Sequence, residues 1–189
     1  IDSIDKAERS ESNYTGVHIE SLTSNITRNF LNNICSYPDT KYLEVGVYAG
    51  GTFYSALQNN NVKGYAIDDF EKAYAPWRDD IEFKVHEDPK KAFLHPPWWP
   101  DKRYDFELFE GKIVDATLPE KCNAIFYDAD HDPIQQYQNL NHLLQFFDDE
   151  FILMVDDANM KGVVESVEDF VKHKKLKIIF EKKILTDVP

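Results

Sequence analysis

Basic residues are scarce in this chain. Lys and Arg number 21 against 34 Asp and Glu in 189 residues, a formal charge of −13 at pH 7. That balance excludes a phosphate backbone as the main partner, because nucleic-acid binders present a basic face. The one basic stretch, Lys172 to Lys183, is interleaved with apolar residues and reads as a solvated strand face. Cysteine is rarer still: Cys35 and Cys122 both flank apolar segments and read as buried thiols, not as a disulfide framework. Long hydrophobic runs are missing, since none approaches the ~20 apolar residues of a membrane span. A signal-peptide core is missing from the start of the sequence as well. The expectation is a soluble, cytoplasmic protein with no membrane partner. Asn13-Tyr-Thr and Asn25-Ile-Thr match the glycosylation sequon, a pattern without meaning in a protein that is not secreted. A start at Ile1 instead of Met is compatible with a fragment.

What is present is globular: 42% hydrophobic, 14% aromatic and 29% charged residues are enough to bury a core in one domain. Glycine is limited to seven residues, and three of them (Gly46, Gly50, Gly51) crowd into six positions of Tyr42-Leu-Glu-Val-Gly-Val-Tyr-Ala-Gly-Gly-Thr-Phe53. An apolar run that ends in glycines and passes through Thr52 into Phe53-Tyr-Ser-Ala-Leu57 predicts a strand turning sharply into a helix. Such a turn needs backbone with positive φ and leaves free N–H groups at the helix start, a seat for a small, partly anionic group. The plainer reading is a tight strand-helix turn with no ligand.

Strand and helix patterns alternate along the chain. Residues 1–16 lack periodicity and are expected to be a loose arm before a single domain spanning 17–189. Ile19, Leu22, Ile26 and Phe30 recur at helical spacing and predict a helix from His18 to just before Tyr37-Pro38. The opening strand is Tyr42–Val47, with its helix closing near Asn60. Val62–Asp69 is a second strand, and Asp68 lies 22 positions beyond Gly46. In a doubly wound sheet the acidic residue at that distance, ending the second strand, reaches the ribose hydroxyls of an adenosine-containing ligand; Asp69 is the fallback. Residues 71–103 hold all three tryptophans and five of the nine prolines. Their Pro96-Pro-Trp-Trp-Pro100 is either a surface cover or a wall of the ligand site. Tyr104–Phe109, Lys121–Asp128 and Phe151–Val155 predict further strands, the last two buried on both faces. Asp132-Pro133 supplies an N-cap and first-turn proline for a helix with Ile134, Tyr137, Leu140 and Leu144 inward. A helix with Val163, Val164, Val167, Phe170 and Val171 inward and a strand Leu176–Phe180 follow. The expected fold class is α/β, Rossmann-like and doubly wound, with a mostly parallel sheet of about six to seven strands.

Parallel strands bring their C-terminal ends to one edge, where ligands of such folds bind. Asp68, Asp128, Asp130, His131, Asp156 and Asp157 stand on that edge. So many carboxylates repel one another unless a cation, a proton or a basic ligand group joins them, and hard oxygen ligands suit Mg²⁺, Ca²⁺ or Mn²⁺. An imidazole among carboxylates suits a general base or a hydrogen-bonding group, against the plainer reading of His131 as a residue at a helix entry.

The combination resembles the class I S-adenosylmethionine-dependent methyltransferases. Leu43–Thr52 resembles their first motif, Ile67-Asp68 the ribose-binding second, Ala124–His131 the fourth-strand motif, and Val155-Asp-Asp157 with Lys161-Gly-Val the fifth. The metal-dependent small-molecule O-methyltransferases of the catechol, caffeoyl-CoA and macrocin type are the most similar in look. The resemblance implies S-adenosyl-L-methionine as cofactor, its methionine part held by Glu44 and the turn of Gly46, Tyr48, Gly50, Gly51 and Thr52. It also implies Asp68 on the ribose and residues near Gly111 and Lys112 on the adenine, with Asp128 bordering the cofactor. A metal, Mg²⁺ or Mn²⁺, is implied on Asp128, Asp156 and Asp157, with His131 and Asp128 as catalytic residues and a small-molecule hydroxyl as acceptor. Three departures stand out: Asp157 where Asn is usual, His131 where the catechol type carries a lysine, and an end at Pro189 before the usual final hairpin. The alternatives are an NAD or nucleotide-sugar Rossmann enzyme, weakened by Tyr48 at the second glycine position of G-x-G-x-x-G, and a non-catalytic module of the same fold. Expected partners are the acceptor and, as an open alternative to a monomer, a second copy in a homodimer.

Overall fold

The computed structural model of the chain describes residues 2–16, 23–71, 88–96 and 104–184. Five strands form one parallel sheet in the order β3-β2-β1-β4-β5. They are β1 (Lys41–Val45), β2 (Lys63–Asp68), β3 (Phe106–Glu110), β4 (Cys122–Tyr127) and β5 (Phe147–Val155). Parallel neighbours need long crossovers, and helices occupy them: α3 (Gly51–Leu57) leads from β1 to β2, α4 (Pro89–Leu94) lies between β2 and β3, and α5 (Pro133–Leu143) leads from β4 to β5. From β1 the chain steps one way to β2 and β3, then returns to the other side for β4 and β5. The strand order therefore reverses between β1 and β4, which opens a crevice at their C-terminal ends.

Alternation along the strands divides the core in two. Tyr42, Ala66, Ala124, Phe126 and Met154 pack on one face against Leu31 and Ile34 of α2 (Asn25–Cys35), Phe53 and Tyr54 of α3, and Phe93 of α4. Leu43, Val45, Ile67, Ile125 and Tyr127 pack on the other face against Leu140 and Leu143 of α5 and Phe170 of α6 (Lys161–Lys174). Two buried faces require near-continuous apolar strands, which β1, β2 and β4 are. Both thiols are buried and unbridged, as their apolar flanks suggest.

The structure corrects several expectations. Residues 2–8 are not a loose arm but a helix, α1 (Asp2–Glu8), with Ile4 and Ala7 buried. So short a helix is marginal by itself; α2 holds it, with the Asn33 side-chain amide donating to the carbonyls of Ser3 and Glu11 at 3.3 and 2.9 Å. α2 begins at Asn25, where Ser24 caps it by accepting from the Thr27 N–H at 3.1 Å; the expected start at His18 lies outside the described residues. On α5 the inward face is rotated: Ile134 is exposed, while Gln136 and Asn139 are buried with Leu140 and Leu143. Asn139 donates to the Tyr127 hydroxyl and accepts from the Gln135 amide, while Gln136 donates to the Val163 carbonyl and keeps its side-chain oxygen buried without a partner. β5 is an edge strand, exposed over Asp148–Glu150 and at Ile152, not buried on both faces. The strand expected at Leu176–Phe180 is irregular, half-buried at Leu176 and exposed beyond it, so the described sheet has five strands and not six or seven. The Trp98-Trp99 loop lies outside the described residues.

Phe93 ties α4 to this frame. Its buried ring lies 5.6 Å from Phe53, 5.3 Å from Tyr54 and 5.6 Å from Phe106, centroid to centroid. Phe93→Ala is expected to lower the unfolding free energy by about 3–5 kcal/mol, measured by urea denaturation.

Candidate functional site

The site grows out of the β1–α3 turn. Gly46 extends the β1 ladder by donating its N–H to the Ile67 carbonyl at 2.9 Å. Gly46, Tyr48 and Gly50 then all take positive φ, +87°, +47° and +87°, which lifts the chain out of the sheet and starts α3 at Gly51. At Gly46 the requirement is steric as well: a Cβ there would stand 1.9 Å from the Asp128 carbonyl oxygen. Tyr48 adopts left-handed backbone at some cost for a non-glycine residue, and its N–H donates to Asp68 Oδ2 at 2.8 Å. Asp68 Oδ1 accepts from the Phe70 N–H at 2.7 Å. Burial raises the Asp68 pKa from its ordinary value, and the backbone donors oppose that shift. Gly111, just after β3, donates its N–H to the Asp68 carbonyl at 3.0 Å, while Lys112 is exposed. The glycine turn, Asp68 and Gly111 thus form one continuous rim over β1, β2 and β3.

Glu44 lies beneath this rim. It is fully buried, and both its oxygens are taken, Oε2 by the Tyr42 hydroxyl and Oε1 by the Thr52 hydroxyl, each at 2.5 Å. Its carboxyl ties β1 to the first turn of α3, so it holds the shape of the turn from below. Burial pushes its pKa up to about 8, against the lowering effect of the two hydroxyl donors.

The other half of the rim follows β4 and β5. Asp128 donates its N–H to the Val45 carbonyl, and Asp156 donates its own to the Tyr127 carbonyl. Burial first, then the neighbouring charge of Asp156, holds the Asp128 carboxyl well above the ordinary range. Asp156 is raised too, mainly by burial, with the Asp157 N–H bond opposing. Asp157 takes positive φ, +50°, and its Oδ2 stands 3.1 Å from His131 Nε2. Asp132 caps α5 through the N–H groups of Ile134 and Gln135, as its place before Pro133 suggests. The Tyr127 hydroxyl, bonded by Asn139, reaches the Asp130 carbonyl at 3.3 Å and fixes the loop between Asp128 and His131.

Glu44, Gly46, Tyr48, Gly50, Gly51, Thr52, Asp68 and Gly111 are brought together on one side of the crevice, and Asp128, His131, Asp156 and Asp157 on the other. The expected metal triad is not assembled. Among the described residues no group of three or more His, Cys, Asp or Glu side chains is grouped to hold an ion, and Asp157 turns to His131 instead of joining Asp128 and Asp156. Tyr42 and Asn139 support the site but escape a motif reading. Strand parity could have found Tyr42, two residues before Glu44 on the same face; nothing local marks Asn139.

No family model matches the chain, and no curated protein matches it. Solved structures do. The O-methyltransferase NovP superposes with a TM-score of 0.58 at 14% identity, over 80% of this chain and 73% of that one. A methyltransferase of Podospora anserina, PaMTH1, solved with SAH bound, gives 0.54 at 13% identity over 92% and 78%. The chain thus has the fold of class I methyltransferases.

Glu44 provides a test of the buried carboxyl. Its pKa in the folded protein, about 8, exceeds the ordinary 4.5, so the stability carried by its neutral form is full below pH 4.5 and lost as pH rises through 8. Melting temperatures measured from below pH 4.5 to above pH 8 are expected to fall less in Glu44→Gln than in the parent protein.

Proposed function

We propose that the chain is an S-adenosylmethionine-dependent methyltransferase whose acceptor is a small-molecule hydroxyl. The observation that carries this reading is the Tyr48 N–H bonded to the Asp68 carboxylate. It joins the glycine turn to an acidic strand end, side by side at the mouth of a switch-point crevice. A carboxylate accepts paired hydroxyl protons, as a ribose offers, and a positive-φ turn leaves backbone N–H groups for the carboxylate end of a methionine. These residues fit the cofactor. When bound, its sulfonium supplies an electrophilic methyl carbon. Asp68 would hold the ribose, Gly46 to Gly51 the methionine part with Glu44 and Thr52 bracing them, and Gly111 and Lys112 would border the adenine.

His131 is the candidate proton acceptor. Asp157 holds its Nε2, which orients the ring and leaves Nδ1 to receive a proton from the acceptor hydroxyl as the oxygen attacks. Orientation of the oxygen and removal of its proton are the contributions these residues can make. Asp128, beside Gly46, borders both halves of the crevice. Among the described residues the carboxylates are not grouped to fit a metal. Mn²⁺ bound by the parent protein and lost in Asp156→Ala would require Asp128, Asp156 and Asp157 to converge on a common ion.

Calorimetry with S-adenosylhomocysteine is expected to show binding, weakened about ten- to a hundredfold in Asp68→Ala, since hydrogen bonds to a charged group are worth roughly 1.5–3 kcal/mol. Binding of NAD without S-adenosylhomocysteine would sink the reading in favour of a dinucleotide enzyme. Against a panel of hydroxyl acceptors, His131→Ala should lower kcat by about 10²–10⁴ with cofactor affinity unchanged. Cofactor binding without turnover on any acceptor would favour a non-catalytic module.

A further inference from the structure

Gly162 stands in the first turn of α6, where its own backbone does not call for glycine. Its φ is not positive, and glycine is the weakest helix former after proline, with alanine the strongest. What requires it is a neighbour. A Cβ on Gly162 would stand 2.7 Å from Pro133 Cγ, 3.6 Å from its Cδ and 3.8 Å from its Cβ. The nearest of these atoms belongs to a ring closed on the backbone, so it cannot swing aside like the end of a flexible side chain. The first turns of α5 and α6 therefore touch at a point that leaves no room for a side chain on Gly162.

Each of these turns is entered by a loop from the crevice. His131 shortly precedes Pro133, and Asp157 shortly precedes Gly162. The two side chains meet across the gap, His131 Nε2 at 3.1 Å from Asp157 Oδ2. Both loops are tied to the helices they enter. Asp132 caps α5 through the N–H groups of Ile134 and Gln135; the Met160 N–H donates to the Asp157 carbonyl at 2.8 Å and the Val164 N–H to the Met160 carbonyl at 3.2 Å. Gln136 Nε2, donating to the Val163 carbonyl at 3.1 Å, ties the helices to each other. The spacing of the two helix starts thus sets the spacing of His131 and Asp157. We propose that Gly162 and Pro133 are positioning residues: the missing side chain at Gly162 lets Pro133 seat against α6, and this seat brings His131 to Asp157. The catalytic consequence rests on His131 as proton acceptor, the reading given above; the contact itself does not. Non-bonded carbons rest about 3.5–4.0 Å apart, so a methyl group at position 162 moves the helix starts apart by roughly 1 Å. A hydrogen bond at 3.1 Å is already near the ~3.2 Å limit for nitrogen and oxygen and breaks under that displacement. His131 then loses the partner that orients its ring toward the acceptor.

Gly162→Ala is the test. Alanine favours a helix, so the variant should keep the parent circular dichroism spectrum. Its affinity for S-adenosylhomocysteine should match the parent, because the proposed cofactor seat lies over β1, β2 and β3. Against an acceptor that the parent methylates, its kcat should fall at least about tenfold, as displacement of a reacting group by about 1 Å does. Adding Pro133→Ala leaves only a Cβ at position 133, 3.8 Å from the new methyl group, and should restore most of the lost kcat. The imidazole nitrogen resonances of His131, read by NMR at alkaline pH without cofactor or acceptor, follow the contact directly. In Gly162→Ala they should move to the positions found in Asp157→Ala, and in the double variant they should return to the parent positions. Parent kcat in Gly162→Ala, parent His131 resonances there, or a loss that Pro133→Ala fails to reverse would each overturn the proposal. If Gly162→Ala unfolds, the double variant must fold with parent resonances for the contact to be the cause. If the parent methylates no acceptor, the methyltransferase reading fails, and the resonances still decide for or against the contact.

Discussion

Everything at the crevice depends on the close approach of β1 and β4 at Gly46. The Asp128 carbonyl fills the space where a side chain would begin, 1.9 Å from an ideal Cβ. With glycine there, the Asp128 N–H can bond the Val45 carbonyl and the Gly46 N–H the Ile67 carbonyl. Three strand ends are thereby drawn level. The positive φ at Gly46 then turns the chain upward, so that Tyr48 meets Asp68 and α3 starts over the sheet. One missing methyl group thus sets where the glycine turn, the acidic end of β2 and the carboxylates after β4 stand relative to one another.

The second constraint is electrostatic. Glu44, Asp68, Asp128, Asp156 and Asp157 crowd one region, and like charges in a partly buried space disfavour ionisation. The protein answers in three ways. Glu44 is given two hydroxyl donors, Asp68 two backbone donors, and Asp157 an imidazole. Asp128 and Asp156 are left with raised pKa values, which favour retention of a proton. The result is a site in which paired carboxyls stand at the rim and buried carboxyls, whose charged forms are disfavoured, lie beneath.

Local sequence determined the features that a single residue or a short period can carry. Clustered glycine marked the turn because only backbone free to take positive φ can make it, and Asp132-Pro133 marked the start of α5 because a cap and a fixed φ are local properties. Apolar runs located all five strands, and their alternation with helical patterns set the parallel α/β class. Asp68, Asp128, His131, Asp156 and Asp157 could be assigned to one edge from topology alone, since parallel strands end on the same side.

Tertiary structure decided which of those groups meet. Whether Glu44 faces a ligand or two hydroxyls, and whether Asp157 turns to a metal or to His131, depends on distances between elements far apart in the chain. The same holds for α1, which has too few residues to hold its own helix and exists through α2. It holds for α5, whose buried amides obey partners on Tyr127 and Val163 and not a hydrophobic period. Leu176–Phe180 is the converse case: its residues favour a strand, but a strand needs a neighbour to accept its hydrogen bonds, and β-propensity is a statement about that neighbour as much as about the segment.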